Sequence, residues 1–257
     1  MRTLDHTRKT LQGERLLSIY YTAGYPTLES TLDIAATLEK SGADFLEIGI
    51  PYSDPVADGP VIQESSQKAL QNGMSLKVLF EQLKPLREQV QIPVFLMGYF
   101  NTILQYGVEK FCADCQAVGV DGAIIPDLPL YEYEEMYQPI FEKYGISNVF
   151  LVTPQTSDER IRKIDALSTS FIYLLSSNAT TGKQLQVEDR SEAYFARIKN
   201  MGLSSPIVIG FGISNRETHQ KATNYANGAI VGTAFVRVLG KENVAATDIS
   251  EFIASFK

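Results

Sequence analysis

The chain has 257 residues, an apolar fraction of 44% and a formal net charge of −7, which suits one large or two small folding units with a sizeable core. The acidic balance, without a basic cluster longer than a few residues, argues against nucleic acid or an anionic membrane as partner. Only two cysteines and two histidines occur; Cys112-x-x-Cys115 reads as reduced, mostly buried thiols, and His6 and His219 alone cannot furnish a histidine-rich metal centre. The segment MRTLDHTRKT has no apolar stretch of signal-peptide length and no run approaches a membrane span, so a soluble cytoplasmic protein is expected.

Eight short apolar runs follow one another: LLSIYYT (16–22), FLEIGI (45–50), PVFLMGY (93–99), GAIIPDL (122–128), NVFLVT (148–153), FIYLLS (171–176), PIVIGFG (206–212) and GAIVGTA (228–234). They are rich in branched and aromatic residues and several are apolar on both faces, as strands of a parallel sheet are. Helical patterns lie between them. Leu28, Leu32, Ala35 and Leu38 share a face that Gly42 closes. Two helical patterns separate the second and third runs, opening at Pro60 and at Ser75. Thr156-x-x-Glu159 and Ser214-x-x-Glu217 have the form of capping boxes. SGADFLEIG, VGVDGAIIPD and YANGAIVG repeat one helix-to-strand junction. No linker divides the chain.

Strands alternating with helices over this length predict a (β/α)8 TIM barrel with extra helices, one domain over residues 1–257. A doubly wound open sheet is the alternative. Its dinucleotide-binding form is disfavoured, because TAGYPTLES after the first strand lacks a G-x-G-x-x-G fingerprint.

In a barrel the site lies in the loops after the strands. Those ends carry Thr22, Glu47 with Asp54 and Asp58, Tyr99 and Asn101, Asp127, Thr153 and Gln155, and Tyr173 with Ser176 and Ser177. Gly210, Gly212 and Gly232 with Thr233 stand where barrels often cradle phosphate, after strands seven and eight. Period-two alternation turns Leu46, Ile48 and Ile50 toward the helices and Glu47 into the barrel, where desolvation keeps a carboxyl protonated. The competing reading is a structural Glu47 paired to a distant cation. Asp58, in the loop above, is expected to be ionised. Asp54 reads as a turn or interface residue. The D-x-V-x-D-G spacing lacks the middle ligand and the terminal Glu of a calcium loop, so no metal is expected. The strand runs hold neither lysine nor histidine, which leaves a Schiff-base or histidine-metal aldolase without its key groups.

LEIGIPYSDPVADGP (46–60) resembles the signature of the tryptophan synthase alpha-subunit family. TAGYP (22–26), IIPDLP (124–129), IYLLS (172–176), GFGIS (210–214) and GAIVGTA (228–234) extend the resemblance, in order, across nearly the whole chain. The resemblance implies a carbon–carbon lyase that cleaves indole-3-glycerol phosphate to indole and glyceraldehyde 3-phosphate. It implies Glu47 as proton donor to indole C3 and shuttle for the glycerol hydroxyl, and Asp58 as acceptor of the indole N–H. Tyr173 would position Glu47 or the substrate. Tyr20, Met97 and Ile124 would wall the indole. Gly182, Gly210, Phe211, Gly212, Gly232 and Thr233 would hold the phosphate.

The loop SSNATTG (176–182) departs from the familiar pattern, with Ser177, Asn178 and Ala179 where many relatives carry Arg and Gly, while Thr181 and Gly182 are kept. In the family this loop is a lid whose Thr contacts the acid matching Asp58. The resemblance also implies a pyridoxal-phosphate beta subunit as partner in an alpha2beta2 complex, docked in part on Pro51, Asp54 and Pro55. No cofactor is expected in this chain. Another phosphate-binding barrel enzyme of amino-acid biosynthesis, a stand-alone indole-releasing lyase and a non-catalytic beta-subunit activator remain alternatives at this point.

Overall fold

The computed structural model describes residues 4–55, 58–175, 189–210 and 212–257. Eight parallel strands close on themselves in chain order: β1 (Leu16–Thr22), β2 (Phe45–Gly49), β3 (Val94–Met97), β4 (Gly122–Ile124), β5 (Ser147–Val152), β6 (Ile172–Leu175), β7 (Ile207–Gly210) and β8 (Gly228–Val231). The final ladder, β8 on β1, pairs Leu16 with Gly228 and Ser18 with Ile230, which removes every sheet edge and rules out the open alternative. Helix α1 (Leu4–Leu11) precedes β1, and α2 (Ser30–Ser41) follows it. Between β2 and β3 lie α3 (Pro60–Gln71), α4 (Leu76–Gln82) and the short α5 (Leu86–Gln89), one helix more than the pattern foretold. Next come α6 (Phe100–Tyr106) and α7 (Val108–Val118), then α8 (Leu130–Glu132), a π-helical turn (Tyr133–Tyr137) and α9 (Gln138–Tyr144). After β5 to β8 stand α10 (Asp158–Leu167), α11 (Asp189–Asn200), α12 (Arg216–Thr223), and α13 (Thr233–Leu239) with α14 (Ala246–Ala254). Among the described residues no helix is long and apolar enough to cross a membrane.

Gly42 ends α2 with φ at +100°, where an L side chain is strained, and its N–H closes onto Leu38 and Glu39. The two expected capping boxes are displaced by one residue. Ser157 accepts from Arg160 N at 3.3 Å and Asn215 from Thr218 N at 2.9 Å. Thr156 is unavailable as a cap because its hydroxyl accepts Thr153 N at 3.0 Å, folding the loop back on the end of β5. Ser214 lies one place ahead of the cap, and its own N–H goes to the Thr218 hydroxyl at 3.0 Å. The strand expected over 122–128 ends at Ile124, since Pro126 has no N–H to donate to a ladder.

The alternation of side chains makes two cores. Leu46, Ile48 and Ile50 face outward into the layer between strands and helices, with Ile34, Leu38, Leu79 and Leu96. Phe45, Phe95 and Phe171 fill the barrel itself, with ring centroids 5.1 to 6.2 Å apart, and Leu11 closes it from below. Each such buried side chain contributes about 1.5–3 kcal/mol.

The repeated junctions have a common physical cause at the bottom of the barrel. Asp44 accepts Leu17 N at 2.8 Å, Asp121 accepts Val94 N at 2.8 Å and Asn227 accepts Ile207 N at 3.0 Å. In each case the residue before an even-numbered strand holds the start of the odd-numbered strand beside it. Thr169 does the same job ahead of β6, donating to the Ser147 hydroxyl at 3.2 Å. Asp121 also meets Arg87 at 2.6 Å and the Thr7 hydroxyl at 2.8 Å, so its buried charge is compensated.

Candidate active site

Strand β2 places Glu47 inside the barrel, completely buried and level with Tyr20 of β1 and Phe95 of β3. Among the described residues neither carboxylate oxygen of Glu47 has a hydrogen-bond partner, which speaks against the paired, structural reading. Without compensation, burial disfavours the charged form and pushes its pKa up to about 8. Asp58, at the end of the following loop, feels burial too, opposed by a hydrogen bond from the Tyr99 hydroxyl at 3.2 Å, and its pKa lies at about 6. At neutral pH the pair therefore divides into a protonated acid below and an ionised acid above.

Above Glu47 opens a cavity of about 350 Å³, within the range of small-molecule sites. Tyr20, Tyr52, Asp58, Met97, Tyr99 and Arg160 are among its walls, which run from β1 round to β6. The loop carrying Asp58 is fixed by Gln63 of α3, whose amide donates to the Asp58 carbonyl at 2.8 Å. Asp127 anchors the start of α6 by accepting Phe100 N at 2.8 Å. Tyr99 immediately precedes that helix and so has a fixed backbone.

Two glycines have a packing reason to lack a side chain. A Cβ on Gly49 would run into the Tyr20 hydroxyl, and one on Gly210 into the Tyr173 hydroxyl. Tyr20 and Tyr173 thus lean over the glycines at the ends of neighbouring strands. Burial, reinforced by nearby Asp58 and Glu47, raises both phenols above their ordinary pKa, so both stay neutral.

Of the expected site residues, Tyr20, Asp58 and Met97 line the cavity, while Glu47, Ile124 and Tyr173 lie buried in the barrel interior. Gly210, Gly212, Gly232 and Thr233 stand at the ends of β7 and β8, beyond the cavity walls. Gly232 is nonetheless adjacent, its Cβ position 3.4 Å from the Tyr20 ring, and Gly212 has φ at +78°. Thr181, Gly182 and Phe211 lie outside the described residues. In the expected contact loop Asp54 is exposed and Pro55 half-buried, but Pro51 is buried and faces away from solvent.

Several residues escaped the sequence reading as members of the site. Tyr52 stacks on Tyr99, with centroids 5.1 Å apart and planes at 29°. Arg160 projects from the first turn of α10 to the cavity rim; only its place just after a strand could have signalled it. Leu104, Tyr131 and Met136 are large apolar side chains left 47%, 66% and 59% exposed in the segments after β3 and β4. No local pattern distinguishes them from core residues.

A closed parallel barrel that carries an unpaired buried acid beneath a loop-lined cavity at the C-terminal ends of its strands defines a TIM-barrel protein of the acid–base type. The sequence profile of one such family, Tryptophan synthase alpha chain, matches residues 7–256, and this chain belongs to that family. It is 55% identical to the tryptophan synthase alpha chain of Flavobacterium psychrophilum, over 96% of this chain and 97% of that one. Among solved structures, the tryptophan synthase A-subunit of Pyrococcus furiosus superposes with a TM-score of 0.86 at 36% identity, covering 95% of this chain and 98% of that one. A chain of the Pyrococcus furiosus tryptophan synthase complex matches with the same TM-score, 0.86, at 35% identity and the same coverage, 95% and 98%.

Proposed function

We propose that this chain is a carbon–carbon lyase that splits indole-3-glycerol phosphate into indole and glyceraldehyde 3-phosphate by acid–base catalysis. The observation that carries the proposal is the buried Glu47 carboxyl, unpartnered among the described residues and held protonated near pH 7, with an ionised Asp58 in the cavity above it. Direct cleavage would leave an indole carbanion. Proton transfer from Glu47 to indole C3 instead turns the ring into an iminium, which accepts the electron pair of the breaking bond. The neighbouring glycerol hydroxyl then loses its proton to Glu47 carboxylate and becomes the aldehyde, and Glu47 is restored. Asp58 accepts the indole N–H and stabilises the charge that develops there. The ring is its own electron sink, so the step calls for no cofactor in this chain.

Tyr20, Met97 and Ile124 form the apolar enclosure for the indole, and Tyr173 positions Glu47. Gly210, Gly212, Gly232 and Thr233, together with Gly182 and Phe211, hold the phosphate. Residues 1–257 act as one unit in the cytoplasm.

The relative solved as a tryptophan synthase complex supports a beta subunit as partner. Exposed Leu104, Tyr131 and Met136, in the segments after β3 and β4, offer it apolar side chains, and Asp54 is exposed in the loop after β2. Pyridoxal phosphate would belong to that partner, and an alpha2beta2 assembly would pass indole to it. Incubation with indole-3-glycerol phosphate tests the reading: indole and glyceraldehyde 3-phosphate should appear in equal amounts. No indole, even with a beta subunit present, would overturn it.

A further inference from the structure

The carboxylate of Asp58 is held by a residue from a different strand, and that residue is held in turn by the loop that carries Asp58. Tyr99, buried at the end of β3, donates its hydroxyl to Asp58 Oδ2 at 3.2 Å. One face of its ring is covered by Tyr52 at 5.1 Å. The Tyr52 hydroxyl accepts from the Asn101 amide at 3.4 Å, the outer limit of a hydrogen bond, on the helix that Tyr99 opens. Tyr52 lies between Pro51 and Asp54, so one loop contributes both ends of a closed chain of contacts: Tyr52, Tyr99, Asp58. All three side chains face the cavity.

We infer that Tyr99 is a positioning residue for Asp58 and that Tyr52 is the clamp which keeps Tyr99 on it. The inference deepens the reading given under the proposed function and rests on it for the role of Asp58. A free tyrosine at a cavity edge has several rotamers and its hydroxyl would spend much of its time in water. Stacking removes that freedom, and the hydroxyl is committed to the carboxylate. A donor to a carboxylate favours the ionised form, so the clamp keeps Asp58 charged at lower pH than burial alone would allow. Among the described residues, the other ionisable groups around this position besides Tyr52 are Tyr20 of β1, Glu47 of β2 and Tyr173 of β6, all neutral near pH 7, and Arg160 of α10 in the cavity lining. None of them supplies the bond that Tyr99 makes.

The test measures the titration midpoint of Asp58 by carbon-13 NMR of the labelled carboxyl in the full chain, alongside kcat and KM for indole-3-glycerol phosphate. Tyr99→Phe should raise the midpoint by about one pH unit and lower kcat near pH 6 by about fivefold, with KM changed less than twofold. Tyr52→Leu, which keeps the Tyr99 hydroxyl but removes the stack, should move the midpoint the same way by a smaller amount. Tyr52→Phe keeps the ring face and should leave the midpoint in place. The double variant Tyr52→Leu/Tyr99→Phe should titrate like Tyr99→Phe alone, because the clamp acts only through the hydroxyl. An unmoved midpoint in Tyr99→Phe, or additive shifts in the double variant, overturns the inference. The NMR arm does not depend on turnover: a chain inactive on this substrate that still shows the shifts retains the clamp and loses the proposed reaction.

Discussion

Glu47 and Asp58 sit on one strand and its following loop, yet their carboxyls titrate in different ranges, about 8 for Glu47 and about 6 for Asp58. Burial raises both; among the described residues only Asp58 has a donor to oppose it. The pair sets a working window. Activity should rise as Asp58 ionises through about pH 6 and fall as Glu47 loses its proton through about pH 8. A bell-shaped kcat/KM profile measures this, and a profile flat across the range would contradict the assignment.

The same carboxyl bears on stability. The folded-state pKa of Glu47 is raised, so the stability it contributes is whole below its unfolded value of about 4.5 and is lost as pH rises toward about 8. The slope is at most about 1.4 kcal/mol per pH unit. Glu47→Gln removes this loss. Urea midpoints of the variant should gain on those of the parent between pH 5 and 8, as measured by circular dichroism.

For chemistry the substitutions act in the opposite direction. Glu47→Gln keeps the shape but cannot give up a proton, and Asp58→Asn keeps an acceptor but not the charge. Each should lower kcat by about 100-fold or more while the far-ultraviolet spectrum is unchanged. Full activity in either would refute its role.

Gly210 has been left bare for Tyr173. Gly210→Ala forces the phenol aside and should cost about 1–3 kcal/mol of stability. It should also reduce kcat/KM, since Tyr173 is the neighbour expected to steady Glu47. Because the added Cβ would also meet the ring of Tyr173, Tyr173→Phe cannot relieve the clash, whereas a Gly210→Ala/Tyr173→Leu double variant removes the ring and should recover part of the stability, which thermal unfolding reads directly.

The exposed apolar residues after β3 and β4 can be tested without the substrate. Met136→Asp, on a side chain 59% exposed, should leave the fold intact and weaken capture of a beta subunit by about tenfold or more in calorimetric titration. Unchanged affinity would place the partner elsewhere.

Much of this architecture is legible in the residues. Strand runs such as FLEIGI announce themselves by composition, and alternation alone turns Glu47 inward. The helix starts at Pro60 and Ser75 fall where local chemistry puts them. The capping boxes were misplaced by one residue because Thr156 is drawn into a turn with Thr153, a competition that spacing does not reveal. Tyr52 and Tyr99 are invisible as a pair for a different reason. They are far apart in sequence, and only the pairing of β2 with β3 brings their loops together. The exposure of Tyr131 and Met136 is likewise a product of packing, since each is the residue type a core would take.

The clasps at the bottom of the barrel suggest how it is put together. Asp44 holds β1 to β2, Asp121 holds β3 to β4, Thr169 holds β5 to β6 and Asn227 holds β7 to β8. The circle is therefore sewn in twos, each stitch enclosing a strand, the helices after it and the next strand. Chain breaks between such couples leave each of these four clasps within one fragment. Halves separated between β4 and β5 should rejoin when co-expressed, whereas a cut between β3 and β4 divides a stitch and should not be tolerated as well.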